Sequence, residues 1–492
     1  MERSRLYMLL GWLNAVVNER LRYTPLGWTK RYEFSDADTQ CAMECIDQWV
    51  DKVCPGKSTH INPEDLPWKA LCTTLSQALY GGRIANSFDQ AALDSFICNI
   101  FRVESYGYNA TVAFDMTATP EEGEGGGGEE STGAAGVPLV TLPNGNGKEV
   151  FEAWITALPD KNSPTWLGLP STAENQLQSV MGQHVLAGLV VLTGGEVGAG
   201  GESALVTAAL GSSSSSGGGS KDRVLQSVLQ VCSLWLSTLP SSLPAGSTEI
   251  SSDESPLGRF LAREGERGTD ILRLVRDDLE RVLAYCTGAA KSTNSIRHLL
   301  GCFSKGQLPA TWGSCFESPP GVSISAWVSN LADRCASIGC SAQGGGGGGA
   351  ASYWLGGMFA PEAFVTATRQ LSAQANQWSL EDLELHLEIG VAASEGVADT
   401  IIRNLVFECA QWTEAEGITL SSSLRSRLPP SRLRWRRRQE APRAGGAFLA
   451  LPVYLDETRS SLVVEVLVDI PAHVAPAVWT QRGVALVLQS ST

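Results

Sequence analysis

Phosphate chemistry is the first possibility that residue types and spacing raise in this 492-residue sequence. Pro55-Gly56-Lys57-Ser58 ends like a phosphate loop, whose backbone N–H groups wrap the phosphates while a lysine reaches the terminal ones. Such a loop needs a glycine five residues before the Gly-Lys pair. That position is Asp51, inside a predicted helix, so a nucleotide loop is not expected. Asn144-Gly145-Asn146-Gly147-Lys148 lacks the following Ser or Thr and reads as a turn. No GxSxG, HExxH or EF-hand loop occurs. The five histidines (60, 184, 298, 386 and 473) are scattered, and His386 falls on the polar face of a predicted strand, where solvent exposure is expected. The twelve cysteines form no CxxC; Cys41 and Cys45, one helical turn apart, read as small buried hydrophobes, and a reducing compartment follows. Asn109-Ala110-Thr111 fits a glycosylation acceptor that would be silent in a reducing cytosol. Neither a cofactor nor a metal is signalled.

A basic cluster is the one positive feature. Arg425, Arg427, Arg432, Arg434, Arg436, Arg437, Arg438 and Arg443 fall within nineteen residues, with only Glu440 opposing, and Trp435 lies among them. Net charge is −15 overall, so this window, at +7, leaves the rest at −22. An acidic protein is poorly suited to coating nucleic acid. The cluster reads as a solvated loop between strands, with docking to an acidic partner through 425–443 as the alternative.

The elements that must position these residues fall into blocks. Glycine is in excess, at 51 residues, without a collagen period. It gathers in residues 121–136, 194–220 and 344–349, which have the composition of flexible linkers or loop insertions. The first block, 1–115, reads helical. Leu6, Leu9, Leu10, Leu13, Val16 and Val17 recur at helical spacing, and no small-residue cleavage site follows, so a folded helix is expected rather than a signal peptide. Ser35 with Asp38 resembles a capping box ahead of Ala42, Cys45, Ile46, Trp49 and Val53. Pro63 and Pro67 open a third helix that Gly81-Gly82 stops, and residues 88–103 supply a fourth.

The middle block, to residue 343, also reads helical. Ser255-Pro256 is a cap followed by a favourable first position. Ile271, Val275, Leu279, Val282 and Cys286 then hold the period, Arg273–Asp277, Arg276–Glu280 and Asp277–Arg281 pair along the outside, and Gly288 ends the helix. Residues 322–338 give another helix with Ile324, Trp327, Val328, Leu331 and Ile338 inward. After a helix near 361–375 the period changes to two: Leu383, Leu385, Leu387, Ile389 and Val391 alternate with polar residues, as do Leu462, Val464, Val466, Val468 and Ile470. With strands at 449–455 and 484–488, the end of the sequence reads as a small antiparallel sheet or barrel. The fold class is α+β. No run reaches the ~20 apolar residues that span a bilayer.

Beyond these patterns, particular phrases carry a family resemblance. RLYMLLGWLNAVVNERLRYTPLGWTKRYEF (5–34), Ile61-Asn62-Pro63, Leu66-Pro67-Trp68 and YGGRIANSFDQ (80–90) resemble the lid of the sixth AAA+ module of dynein heavy chains. PTWLGLPSTAE (164–174), LPATW (308–312), WLGGMFAPEAFVTATRQLSAQANQWSLEDLELHLEI (354–389), Leu433-Arg434-Trp435, LPVYLDETR (451–459) and RGVALVL (482–488) are similar to the C-terminal domain of that family, in its cytoplasmic class. The resemblance implies a helical lid at 1–115, a linker at 116–148, a helical layer at 149–343 with an insertion at 194–220, a linker at 344–350 and a β module at 351–492. It implies a non-catalytic structural and regulatory segment of a minus-end-directed microtubule motor whose ATP is hydrolysed in earlier modules. It also implies a cytoplasmic, microtubule-associated location. The partners implied are the remaining AAA+ modules, the intermediate, light intermediate and light chains, and microtubules, with neither nucleic acid nor a membrane span. Arg83 stands where a AAA+ lid could carry a sensor arginine; the sixth module of this family does not bind nucleotide, so a helix start or an interface is expected there. Arg432, Arg434, Arg436, Arg437 and Arg438 are the other interface candidates. Met1 falls inside the sixth module, which implies a fragment or a truncated product; a free-standing truncated binding module is the alternative reading.

Overall fold

The computed structural model describes residues 2–53, 62–106, 141–145, 147–192, 219–243, 255–304, 306–318, 322–343, 352–391, 399–438, 447–471 and 474–488. The phosphate-loop look-alike at 55–58, the acceptor Asn109, most of each glycine-rich stretch and Arg443 lie outside them.

The first helix, Glu2–Arg20, buries the apolar stripe read from the sequence, Leu6 through Val17, to 2% exposure or less. Helices Asp36–Val53 and Ser87–Ile100 pack on it, and Trp68–Thr73 packs on both of those. Asp38 accepts from both the backbone N–H and the hydroxyl of Ser35, one half of a capping box. Asn86 caps Ser87–Ile100 by accepting from the Phe88 N–H. Between them the Trp68 helix runs on as a π-helical turn, Thr74–Leu79, and Gly81 ends it: a Cβ there would lie 1.6 Å from the Ser76 carbonyl oxygen. Cys41 is exposed and Cys45 half-buried, which corrects the expectation that both are buried; the helix turns its Ala42, Ile46 and Val50 face inward instead.

The helical layer is built on Pro256–Cys286, capped by Ser255 Oγ accepting from the Gly258 N–H. Gly219–Thr238, Asn294–Ser304 and Ile324–Gln343 surround it. Its core is aromatic: Trp312 and Phe316 each stack on Trp327, with centroids 5.6 and 4.8 Å away. Of the expected surface pairs, Arg276–Glu280 forms, whereas Arg273 and Arg281 turn back to Asp270 and Asp278.

The sheet has nine described strands: β1 (Ser352–Tyr353), β2 (Leu383–Glu388), β3 (Thr400–Ile402), β4 (Leu405–Thr413), β5 (Gly417–Arg427), β6 (Ser431–Arg437), β7 (Ala447–Tyr454), β8 (Leu462–Ile470) and β9 (Ala485–Leu488). Their order is β1-β3-β6-β2-β8-β7-β9-β4-β5, curled into half a barrel. The sheet is mixed rather than antiparallel, because β1/β3, β2/β8 and β7/β9 run parallel. The backbone between each such pair passes over other elements instead of closing a hairpin. The β5 edge carries the exposed Arg425 and Arg427 and shifts register opposite Cys409, two devices that blunt an open edge.

Two apolar cores result. One belongs to the helical layer. The other runs without a break from Leu6 and Phe96 of the first helices to Trp479 and Leu486 of the sheet region, across the two linkers that divide the sequence.

Candidate functional site at the junction of the first helices and the sheet

Arg20 holds this junction. It ends the first helix on the apolar face, one turn beyond Val16 and Val17, and is 1% exposed. The backbone then turns through Leu21–Tyr23 and doubles back, with Trp28 Nε1 donating to the Val17 carbonyl at 3.0 Å. This places the Gly27 carbonyl against the guanidinium, which donates to it from Nε at 3.0 Å and Nη2 at 2.7 Å. Nη1 donates to the carbonyls of Leu167 and Gln481, the latter at 3.1 Å. Trp28 and Phe96 rings lie 5.2 and 4.7 Å from the guanidinium carbon. Burial pushes the Arg20 pKa down to about 9, against the pull of Asp89, so the side chain is charged at neutral pH. One cation therefore ties three segments that are far apart in sequence, using the fixed fork that only arginine offers.

The neighbouring charges are saturated. Asp89 accepts from the Thr29 N–H and hydroxyl and from Tyr32 Oη at 2.7 Å; burial and that bond raise the Tyr32 pKa. Arg459 donates through Nε and Nη2 to Glu408 Oε2 at 3.0 and 2.8 Å, and through Nη2 to the Gly483 carbonyl. Both side chains of that pair are at most 6% exposed. Gln481 Nε2 donates to Ser95 Oγ, so the Pro476–Gln481 helix is bonded to the Ser87–Ile100 helix as well as to Arg20.

The residues singled out from the sequence lie elsewhere. Arg83 is half-exposed and pairs with Asp38 at 3.1 Å, beside the start of the second helix. The arginine cluster is not a loop: Arg425 and Arg427 are in β5, and Arg432, Arg434, Arg436 and Arg437 are in β6. Its charge is met internally. Arg432, 2% exposed, and Arg436 both donate to Glu388, Arg434 lies 3.7 Å from Asp399, and Arg438 donates to Glu384 at 2.8 Å. Arg437 lies over Trp378, 5.1 Å from its centroid. Burial opposes ionisation of Glu388, but the bonds from Arg432 and Arg436 hold its pKa below the usual value. Trp435 points inward and donates to Thr368 Oγ1. His386 is 4% exposed, edge-on to Phe448, because β2 is flanked by β6 and β8 in the middle of the sheet; the expected solvent exposure is wrong.

A separate cleft of about 1030 Å³ opens between the Ile324–Gln343 helix and one end of the sheet, lined by Trp327, Ser329, Asp333, Arg425, Asp456 and Glu457 among others. Among the described residues no group of three His, Cys, Asp or Glu could hold a metal, and no helix is long and apolar enough to cross a membrane.

Comparison with known proteins brings both halves of this junction under one heading. Residues 3–173 match the AAA lid domain of dynein heavy chains, and residues 202–488 match the C-terminal domain of dynein heavy chains. The protein belongs to the dynein heavy chain family. It is 33% identical over its whole length to "Dynein heavy chain, cytoplasmic" of Drosophila melanogaster and 34% identical to the protein of that name from Caenorhabditis elegans. The Dictyostelium discoideum protein is 33% identical over 99% of this sequence. The sequence spans about a tenth of the length of each of these relatives. In dynein terms, Arg20 and Asp89 belong to the lid, and Gln481, Glu408 and Arg459 to the C-terminal domain.

The sequence reading missed this dynein lid junction. A signal was present in an arginine continuing an apolar stripe and in a glutamate within the apolar run of β4, both positions that bury a charge.

Proposed function

We propose that this protein acts as a non-catalytic brace in a cytoplasmic dynein motor, joining the AAA+ lid to the C-terminal domain so that the two move as one body. The Arg20 clasp carries the proposal, because a buried cation shared by Gly27, Leu167 and Gln481 resists separation of the segments it joins. In the parent motor, ATP would be hydrolysed by other AAA+ modules and movement would be directed toward microtubule minus ends. The partners are the remaining modules, the intermediate, light intermediate and light chains and, through the complex, microtubules; the location is cytoplasmic. In this reading the lid is 1–115, the helical layer 149–343 and the β module 351–492, with linkers at 116–148 and 344–350, and the Pro476–Gln481 helix of the β module is the part that packs on the lid.

The alternative, a free-standing module docking an acidic partner through 425–443, is weakened by the internal pairing of Arg432, Arg434, Arg436 and Arg438. The test is to place Arg20→Ala in a complete motor and measure microtubule-stimulated ATPase and velocity. Weakened coupling between the two is expected. Unchanged coupling in a variant whose Pro476–Gln481 helix has lost hydrogen-exchange protection would refute the brace.

A further inference from the structure

We propose that Cys72 and Cys98 form a redox-sensitive pair in the lid, in which the exposed Cys98 thiol meets a small disulfide oxidant and the buried Cys72 thiol closes an intramolecular bond.

The two thiols come from different helices. Cys72 is in the Trp68–Thr73 helix and Cys98 in the last turn of Ser87–Ile100. Cys72 Sγ lies 3.3 Å from the carbonyl oxygen of Phe101, the residue that ends the second of these helices. It is also in hydrogen-bonding contact with the Cys98 thiol. Sulfurs already in contact reach bonding distance by side-chain rotation and a small shift of the helices.

Their surroundings divide the labour. Cys98 is exposed, so a solute can reach it, whereas Cys72 is 9% exposed. Burial pushes the Cys72 pKa up to about 12, which makes it a poor first nucleophile. An accessible thiol beside a second that can displace what it captures is the arrangement of a redox sensor. Cys232 also has a cysteine near it, Cys286, but those thiols are buried and half-buried in the other core. In a reducing compartment the Cys72–Cys98 pair stays open and closes under oxidation.

The oxidant is a low-molecular-weight disulfide such as oxidised glutathione. The Cys98 thiolate attacks one of its sulfurs, forming a mixed disulfide and expelling one glutathione thiolate, which takes the proton that Cys98 lost. Cys72 then loses its proton and attacks the Cys98 sulfur, and the second glutathione leaves with that proton. Two cysteine thiols are oxidised to one disulfide while one glutathione disulfide is reduced to two thiols. The new bond closes a loop around the π-helical turn Thr74–Leu79 and the Asn86 cap. It also ties down the helix that carries Asp89, Ser95 and Phe96 to the junction.

The test is to incubate the intact protein with oxidised glutathione, quench with acid, and titrate and alkylate the remaining thiols. A loss of two free thiols per molecule is expected, reversed by dithiothreitol, with unreduced peptide mapping showing Cys72 linked to Cys98. Cys98→Ser, at an exposed position, is expected to keep Cys72 as a free thiol. Cys72→Ser is expected to stop at glutathione on Cys98. Should that buried variant misfold, the map of the unaltered protein decides. Glutathione held on Cys98 with Cys72 still free, or a link joining Cys41 to Cys45 or Cys232 to Cys286 in its place, overturns the proposal.

Discussion

Arg20→Ala probes the junction most directly. The side chain satisfies the buried carbonyls of Gly27, Leu167 and Gln481 and lies against Trp28 and Phe96. Alanine leaves three acceptors without a donor, at about 1–3 kcal/mol each, or roughly 3–9 kcal/mol together. Removing a fully buried cation returns several kcal/mol of desolvation. The net loss is expected near ~3 kcal/mol. Arg20→Lys is expected to recover part of it, since one ammonium keeps the charge but lacks the fork. The protein has two separate cores and need not unfold in one step, so guanidinium unfolding should be followed by hydrogen exchange. Amides at 167–169 and 479–483 are expected to lose protection while those of the Pro256–Cys286 helix, in the other core, keep it. A loss under ~0.5 kcal/mol, the scale of a surface substitution, with protection unchanged at 479–483, would refute the reasoning.

Other expectations follow from the same geometry. Arg459→Met leaves Glu408 buried with Arg425, 3.7 Å away, as its one ion-pair partner among the described residues, and should lose about 3–5 kcal/mol; combining it with Glu408→Leu should restore part, as a double-mutant cycle would read. Gly81→Ala forces a Cβ to 1.6 Å from a carbonyl oxygen and should lose upward of ~2 kcal/mol, whereas Gly82→Ala, with nothing within 4 Å, should be neutral or gain ~0.4–1 kcal/mol in urea titrations. The Glu388 carboxyl titrates below its ordinary value of 4.5 when folded, so its contribution to stability is complete above about pH 4.5 and is lost as pH falls through the lower folded value. Acid unfolding of the wild type should accordingly be steeper than that of Glu388→Gln, measured by circular dichroism. Arg438→Glu, at an exposed pair, should change stability by under ~1 kcal/mol, while Arg432→Glu, at a buried one, should unfold the sheet.

Much of the fold was legible because it rests on local pattern. The Leu6–Val17 stripe, the Ser255-Pro256 start and the alternation of β8 each depend on neighbours within a few residues. The arginine cluster was legible only in part. Leu433 and Trp435 alternate with arginines, which is itself a strand pattern, but the opposing acids Glu384 and Glu388 are on β2, set opposite Arg436 and Arg432 by strand register. One strand read alone shows unmatched charge where the ladder shows pairs. The crossover order of the sheet likewise hid His386, whose burial comes from strands far along the sequence. Arg20 lay beyond reach for the same reason: two of its acceptors are 147 and 461 residues away.

That separation bears on how the protein is made. Gln481 leaves the ribosome 461 residues after Arg20, which at ordinary rates of synthesis is about 20–90 s later. Throughout that interval the lid helices are present but lack Trp479 and the carbonyl of Gln481, and a cationic side chain destined for complete burial must stay hydrated. The nascent lid is therefore expected to remain open to protease and chaperone until translation of the last helix, and to close in a step whose slowness reflects the length of the polypeptide rather than any intrinsic barrier of the helices.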